Sequence, residues 1–208
     1  MKIGIMGGTF DPVHNGHLML GHAAYEAFSL DQIWFMPNGN PPHKKSETIK
    51  STAEDRMKMT SLAIAPFPEF VLQPYEALRA EVSCSYQTME HFSKIYPDDE
   101  FYFIIGADSL FSIETWKHPE RLFKACIILA ACRDEAATKE SLNGQIQMLK
   151  GKYGAHIKFL AMPLEHVSSH EIRKLIESGE PVSEYIPAEV EAYIRKEGLY
   201  GSGNRKNQ

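Results

Sequence analysis

Short apolar runs alternate with helical segments along most of this chain, and this alternation restricts its fold more than any other feature. The strand-like runs cover residues 2–6, 31–36, 70–73, 101–105, 127–131 and 157–161. Predicted helices cover residues 16–28, 51–64, 86–95, 139–149, 168–176 and 187–197. Strands separated by helices pair in parallel, with helices on both faces of the sheet. We therefore predict an α/β fold with a doubly wound parallel sheet, helices on both faces and additional C-terminal helices.

Two capping boxes predict where helices begin. In each, a serine side chain accepts from the backbone N–H three residues later, and the side chain of a glutamate at that position accepts from the serine backbone N–H. The first box is Ser51 to Glu54 and the second is Ser168 to Glu171. Pro187 is expected at the first position of the last helix, with Gly198 as its stop.

Length, charge and cysteine content restrict the classes of protein that this chain can belong to. We expect one domain at residues 1–200, and a disordered tail of small and polar residues at 201–208. The net charge of -5 argues against a general nucleic-acid partner. The longest apolar run, residues 125–132, is far shorter than the roughly 18 residues that span a bilayer, so no membrane partner is expected.

Cysteine usage and the start of the chain favour the cytoplasm. The three cysteines form no CxxC pair, and their odd number argues against a disulfide framework. Residues 1–6 are too short an apolar stretch for a signal peptide. A homo-oligomer is left open.

The first motif, residues 7–17, follows the first predicted strand and reads GGTFDPVHNGH. Gly7 and Gly8 allow the main chain to approach an anion closely, and the amides of Thr9 and Phe10 extend the row of donors. Such turns in parallel sheets lie where ligands bind, at the carboxyl ends of the strands. The segment is not GxGxxG, so it does not predict a dinucleotide fingerprint.

His14 and His17 are three residues apart at the start of the next predicted helix, which places both on one face. Two imidazoles, an amide row and the helix N-terminus can stabilise the charge that develops when a phosphate oxygen attacks an α-phosphate. That reaction needs no protein nucleophile. The HxxH pattern lacks an acidic partner and a third ligand, so we predict no protein metal site here.

The first motif resembles the signature of the HxGH nucleotidylyltransferases, and in particular of their nicotinate-mononucleotide adenylyltransferases, which have a Rossmann-like fold. The resemblance implies that His14 and His17 hold the ATP phosphates together with the main chain of the glycine turn. It also implies Mg²⁺, bound mainly through those phosphates and water.

The second motif, residues 167–173, reads VSSHEIR and opens a predicted helix. Ser168 and Ser169 offer hydroxyls and free amides to an anion, and Arg173 offers a forked donor. The segment resembles the family's ISSTxIR motif, which implies contacts with the ATP phosphates. His170 stands where that motif has threonine, and its role is left open.

Further segments match the parts of the family that bind the ribose and the acceptor. The resemblance of the loop at residues 37–50 implies that Asn38, His43 and Lys44 receive the acceptor phosphate. A glycine and an aspartate after the strand at 101–105, Gly106 and Asp108, are implied to bind the adenosine ribose.

The nicotinate ring has two implied neighbours. A tryptophan at the position of Trp116 stacks on the ring in the family, with Lys117 here replacing a frequent aromatic neighbour. The segment containing Tyr86 and Gln87 resembles SYTxxT, whose main chain meets the pyridine carboxylate; Gln87 replaces threonine there.

Together these motifs predict an enzyme that transfers the adenylyl group of ATP to nicotinate mononucleotide in NAD biosynthesis. Two alternatives stay open. One is a sister enzyme whose acceptor is nicotinamide mononucleotide or phosphopantetheine. The other is a nucleotide-binding regulator without catalysis, against which the presence of His14, His17 and Arg173 argues.

Overall fold

The computed structural model describes residues 1–39, 49–79, 81–133, 136–162 and 168–202. Its strands are β1 Lys2–Gly8, β2 Gln32–Pro37, β3 Phe70–Leu72, β4 Glu100–Gly106, β5 Ile127–Arg133 and β6 Ile157–Met162. Its helices are α1 Asn15–Phe28, α2 Ala53–Ile64, α3 Ser85–Ile95, α4 Ala107–Ser112, α5 Pro119–Ala125, α6 Ala136–Tyr153, α7 Ser169–Ser178 and α8 Ala188–Lys196. Short 3₁₀ helices cover Ile113–Thr115 and Leu199–Gly201.

The strands form one sheet in the order β3-β2-β1-β4-β5-β6. Strand β1 pairs in parallel with β4, which pairs in parallel with β5, which pairs in parallel with β6. Ile5 lies opposite Phe103, and Phe103 lies opposite Ile128. The order reverses direction between β1 and β4, which is the switch point of a doubly wound sheet. The predicted fold class is confirmed.

Continuous apolar runs account for the central strands. All five residues of β4 between Glu100 and Gly106 are buried, as are four successive residues of β1. Strands covered on both faces need apolar side chains in both directions, so they do not alternate with polar ones. These strands could therefore be predicted from their continuous apolar runs.

The contacts divide the chain into two compact units. Unit one comprises Met1–Gly7, Leu20–Trp34 and Ser83–Leu164, and unit two comprises Gly8–Met19, Phe35–Val82 and Glu165–Gln208. In unit one, the Trp34 ring packs edge-on against Phe92, with ring centres 5.2 Å apart. In unit two, Phe35 packs against Phe70, with ring centres 5.0 Å apart. Among the residues that the structure describes, no helix combines the length and the apolar character that a membrane crossing requires.

The predicted start of α2 is wrong by one residue. Thr52, not Ser51, is the N-cap: its Oγ1 accepts from the Asp55 backbone N–H at 3.0 Å. The Asp55 carboxylate accepts in return from the Thr52 N–H at 3.1 Å. The Ser51 side chain is instead directed to Asp11, to whose carboxylate its hydroxyl donates at 2.5 Å.

The predicted start of α7 is confirmed. Ser168 is the N-cap, and Glu171 completes the capping box. Helix α8 begins at Ala188, one residue later than predicted, because Pro187 takes the N-cap position. Gly198 follows the end of α8 in a left-handed conformation, with φ of 66°, as a stop residue should.

Helices α4 and α5 were not predicted. They have six and seven residues, too few for a helical period to stand out. Helix α5 begins with Pro119 after His118, which has a left-handed φ of 51°.

Candidate functional site

Residues 8–14 of the first motif lie in unit two and form a tight turn after β1. Phe10 is buried and has a left-handed φ of 49°. Its ring folds back over Gly8, where a Cβ atom would lie 2.7 Å from ring atom Cε1. Glycine is therefore required at position 8 by this close approach. The Gly8 carbonyl accepts from the Asn38 backbone N–H at 2.9 Å, which holds the start of the loop at residues 37–50 against this turn.

The two histidines of the first motif lie against each other. Their ring centres are 3.7 Å apart, with 36° between the ring planes. The His14 backbone N–H donates to Nδ1 of His17 at 3.2 Å. Nδ1 of His17 is therefore an acceptor, and a neutral His17 carries its proton on Nε2. The edge contact with Phe10, at 4.9 Å between ring centres, further fixes the His17 ring.

His14 is a neutral imidazole at physiological pH. His14 is 8% exposed, and burial lowers the pKa of its ring to about 4. Nδ1 is fully enclosed and has no hydrogen-bond partner among the described residues. Without a bound anion, His14 therefore supplies a hydrogen-bonding group rather than a positive charge.

Arg173 of the second motif reaches the first motif within unit two. Its Nη1 donates to the Asp11 backbone carbonyl at 2.6 Å and lies 3.7 Å from the Asp11 carboxylate. Ser169 donates through its hydroxyl to the Pro12 carbonyl at 2.8 Å. The start of α7 is thus fastened to the turn that holds the histidines. The structure brings these predicted residues together.

Ser168 has a more restricted position. Both its N–H and its hydroxyl donate to the Glu171 carboxylate, each at 2.8 Å. These bonds lower the pKa of the Glu171 carboxyl. The capping carboxylate therefore occupies the place where a helix N-terminus would receive another anion, and a phosphate contact from Ser168 would have to compete with it.

Arg56 is a buried cation that the sequence reasoning missed. It is 2% exposed, and its Nη1 donates to the Thr9 carbonyl at 2.9 Å and to the Asn38 side chain at 3.5 Å. Burial lowers the pKa of its guanidinium. The signal was present in the sequence, because Arg56 shares the buried face of α2 with Met59 and Ala63.

Asp11 and Tyr200 were also missed as members of the site. The Asp11 carboxylate is buried and accepts from the Tyr200 hydroxyl at 2.6 Å. Their separation of 189 residues leaves no local pattern that could have connected them.

Gly7, Gly106 and Asp108 belong to unit one. Gly7 and Gly106 lie near the carboxyl ends of the neighbouring parallel strands β1 and β4. Gly106 is the N-cap of α4 and has open space where a side chain would project. Asp108 lies in the first turn of that helix with its side chain exposed. Its carboxylate is therefore accessible to a hydroxyl-bearing ligand.

Tyr86, Gln87 and Trp116 also belong to unit one. The Tyr86 ring is buried under the guanidinium of Arg121, 4.4 Å from the ring centre. Gln87 is exposed on the same helix. Trp116 ends the 3₁₀ helix and contacts Phe103 edge-on, at 6.5 Å between ring centres.

Two predicted acceptor residues, His43 and Lys44, lie outside the described residues. Asn38, at the start of the same loop, is described and half-buried. No group of three or more histidine, cysteine, aspartate or glutamate side chains in the described part of the chain is arranged to hold a metal ion.

Sequence comparisons connect this geometry to known proteins. The family model described as cytidylyltransferase-like matches residues 5–175. A relative from Lachnoclostridium phytofermentans, named "Probable nicotinate-nucleotide adenylyltransferase", is 40% identical over 200 residues, which cover 96% of this chain and 98% of the relative. One of the same name from Carboxydothermus hydrogenoformans is 42% identical over 199 residues, with coverage of 96% and 98%.

The fold matches solved structures. A chain of "Plasmodium falciparum nicotinic acid mononucleotide adenylyltransferase complexed with NaAD" superposes with a TM-score of 0.78 at 21% identity. The match covers 96% of this chain and 97% of that one. A structure from Vibrio parahaemolyticus, described as a putative nicotinate-nucleotide adenylyltransferase, gives a TM-score of 0.66 at 20% identity, with coverage of 96% and 94%.

Proposed function

Because this chain belongs to the cytidylyltransferase-like family, and within it to the nicotinate-nucleotide adenylyltransferases, we propose that it transfers the adenylyl group of ATP to nicotinate mononucleotide. The products are nicotinate adenine dinucleotide and pyrophosphate. The resemblance carried by residues 7–17 is confirmed by these relatives. The observation that most supports the proposed chemistry is the packing of His14 on His17 in a turn to which Arg173 is hydrogen-bonded.

The reaction is a direct displacement at the α-phosphorus of ATP. A phosphate oxygen of the acceptor forms the new bond to phosphorus while the bond to the bridging oxygen of pyrophosphate breaks, and pyrophosphate leaves with that electron pair. No covalent enzyme intermediate is needed. The task of the protein is to align the two phosphates and to stabilise charge on the transferring group.

The residues of unit two have distinct roles in this proposal. His17 donates from Nε2 to a phosphate oxygen, because its Nδ1 is already engaged with the main chain. His14 donates as a neutral imidazole. The amides of Gly8, Thr9 and Phe10 supply further donors. Arg173 supplies the positive charge, with one of its nitrogens held on Asp11.

The ribose and acceptor contacts are also proposals. Asp108, exposed beside the free space at Gly106, would accept from ribose hydroxyls. Gly7 would add a backbone donor to the ATP phosphates, and Ser169 and Ser168 would add hydroxyl donors if their bonds to Pro12 and Glu171 opened.

On the acceptor side, Asn38, His43 and Lys44 would receive the acceptor phosphate. Trp116, Tyr86 and Gln87 would contact the nicotinate portion. Trp116 suits this role because its half-buried indole presents a planar surface for ring stacking.

We also propose that Mg²⁺ accompanies ATP and that the protein acts in the cytoplasm. Mg²⁺ is usually held by phosphates and water with few protein ligands, which suits a described donor set of amides, imidazoles and a guanidinium. When bound, it neutralises charge on the triphosphate. Cys84, Cys126 and Cys132 are buried free thiols, which suits a reducing compartment.

A comparison of acid and amide acceptors tests the substrate. We expect kcat/KM for nicotinate mononucleotide to exceed that for nicotinamide mononucleotide by at least about tenfold, a difference of ~1.4 kcal/mol in transition-state binding. The measurement is pyrophosphate release with each acceptor, and phosphopantetheine serves as a third. Equal kcat/KM for acid and amide would contradict the proposed acceptor.

The catalytic role of His17 is tested by His17→Ala. Loss of one preorganised donor to the transferring phosphate should lower kcat by about 10²–10³. His156→Ala, which removes an exposed histidine of unit one, is the matched control and should leave kcat unchanged. Turnover of His17→Ala at the rate of this control would contradict the proposed mechanism. No turnover by the unmodified protein with any of the three acceptors would indicate a nucleotide-binding regulator.

A further inference from the structure

The Asp11 carboxylate is a buried junction between distant segments of unit two. It is 1% exposed, and a buried carboxylate is stable only when several donors surround it. It accepts from the Lys50 backbone N–H at 2.8 Å and from the Ser51 hydroxyl at 2.5 Å. It also accepts from the Tyr200 hydroxyl at 2.6 Å. The carboxylate thus connects the first motif to the residues before α2 and to the 3₁₀ helix Leu199–Gly201.

The same residue holds Arg173. The Asp11 carbonyl accepts from Nη1 of Arg173, and the carboxylate lies 3.7 Å from that nitrogen. Any rotation of the Asp11 side chain would therefore change the electrostatic setting of this guanidinium. Lys50 is the last residue of the predicted loop at 37–50 and Ser51 follows it, so the carboxylate also holds the far end of that segment.

Tyr200 is held in a conformation that its surroundings must stabilise. Its φ is 55°, in the left-handed region, which costs energy for a residue other than glycine. Burial and the neighbouring Asp11 raise the pKa of its hydroxyl, which keeps it protonated as a donor. A bond to a charged acceptor of this kind is stronger than one between neutral groups.

We infer that Tyr200 is a positioning residue for adenylyl transfer, acting through the Asp11 carboxylate on Arg173 and on the far end of the loop at residues 37–50. Tyr200 need not touch either substrate. This inference rests on the proposed function for its catalytic consequence. The effect of Tyr200 on the position of Arg173 does not depend on which acceptor the enzyme uses.

Tyr200→Phe tests the inference because it keeps the ring and removes only the hydroxyl. The matched control is Tyr193→Phe, which removes a hydroxyl that donates to the Asp55 carboxylate at 2.9 Å, away from Asp11. We expect Tyr200→Phe to lower kcat about tenfold and to weaken binding of a non-hydrolysable ATP analogue about threefold. Tyr193→Phe should leave both within about twofold, and thermal unfolding of each variant checks that it is folded at the assay temperature.

The two readouts separate the inference from the proposed function. If the unmodified protein does not turn over nicotinate mononucleotide, the proposed function fails, but weaker binding of the ATP analogue to Tyr200→Phe than to Tyr193→Phe still supports the role of Tyr200. If the two variants match in both kcat and analogue binding, the inference is overturned. If Tyr200→Phe does not fold, Ser51→Ala removes another donor to the same carboxylate and is expected to lower kcat in the same direction; unchanged kcat there would overturn the inference.

Discussion

At the scale of single residues, His14 and His17 form a close pair in which the His14 ring is buried and neutral. Their ring centres lie 3.7 Å apart with 36° between the ring planes, and their spacing in the sequence predicted that both would lie on one face. Burial of His14, which lowers the pKa of its ring to about 4, could not be predicted because it depends on side chains distant in the sequence. The same holds for Asp11, whose carboxylate accepts from the backbone N–H of Lys50 and from the hydroxyls of Ser51 and Tyr200.

The low pKa of His14 predicts a specific loss of stability in acid. Between pH 6.5 and about 4, the unfolded chain binds a proton at His14 that the folded chain does not, so stability falls as the pH falls. We expect the unmodified protein to lose about 2 kcal/mol more than His14→Asn when the pH is lowered from 7 to 4.5. Denaturant titrations of both proteins at the two pH values measure this difference.

His156→Asn is the control for that measurement, because it removes an exposed imidazole. It should lose as much stability on acidification as the unmodified protein. An identical acid response of His14→Asn and the unmodified protein would show that His14 is readily protonated in the folded state.

At the scale of elements, the starts of α2 and α7 were predicted from local capping boxes. The prediction was wrong where a tertiary contact engaged the predicted capping side chain. The box at α7 was predicted correctly because Ser168 and Glu171 bond each other within one helical turn. The box at α2 was displaced because the hydroxyl of Ser51 is bound by Asp11, 40 residues away in the chain. A local pattern cannot report such competition.

The corrected cap of α2 predicts different effects for two adjacent substitutions. Thr52→Ala should lower the free energy of unfolding by about 1 kcal/mol. It should also speed hydrogen exchange at the Asp55 amide, because that amide donates to Thr52 Oγ1. It should leave kcat unchanged, whereas Ser51→Ala should lower kcat. Faster hydrogen exchange at the Asp55 amide in Ser51→Ala but not in Thr52→Ala would show that Ser51, and not Thr52, is the N-cap of α2.

At the scale of the whole molecule, unit two is assembled from three separate stretches of chain. Contacts join these stretches at several points, including the bond from the Asn15 N–H to the Tyr185 carbonyl at 2.8 Å and that from Tyr193 to Asp55. The parallel sheet could be predicted from alternating apolar runs. The return of the C-terminal helices to the first motif could not, because their amphipathic pattern does not say which surface they cover.

This arrangement predicts a sharp dependence on the last few residues of unit two. A chain ending after Gly198 lacks Leu199–Gly201 and should lose at least about a hundredfold in kcat, since Asp11 loses the Tyr200 hydroxyl and is left buried with one donor fewer. A chain ending after Ser202 keeps every described contact and should remain within about twofold of full activity. Comparable activity of the two shortened chains would show that the 3₁₀ helix is dispensable.

The bond between Tyr200 and Asp11 also has a consequence for the timing of biosynthesis. A ribosome adds roughly 5 to 20 residues each second, so Tyr200 emerges about 10 to 40 seconds after its partner. During that interval a nascent chain contains both histidines but not the group that completes the setting of Arg173. Newly made copies therefore reach full competence only after Tyr200 has been added, and until then the Asp11 carboxylate lacks this donor.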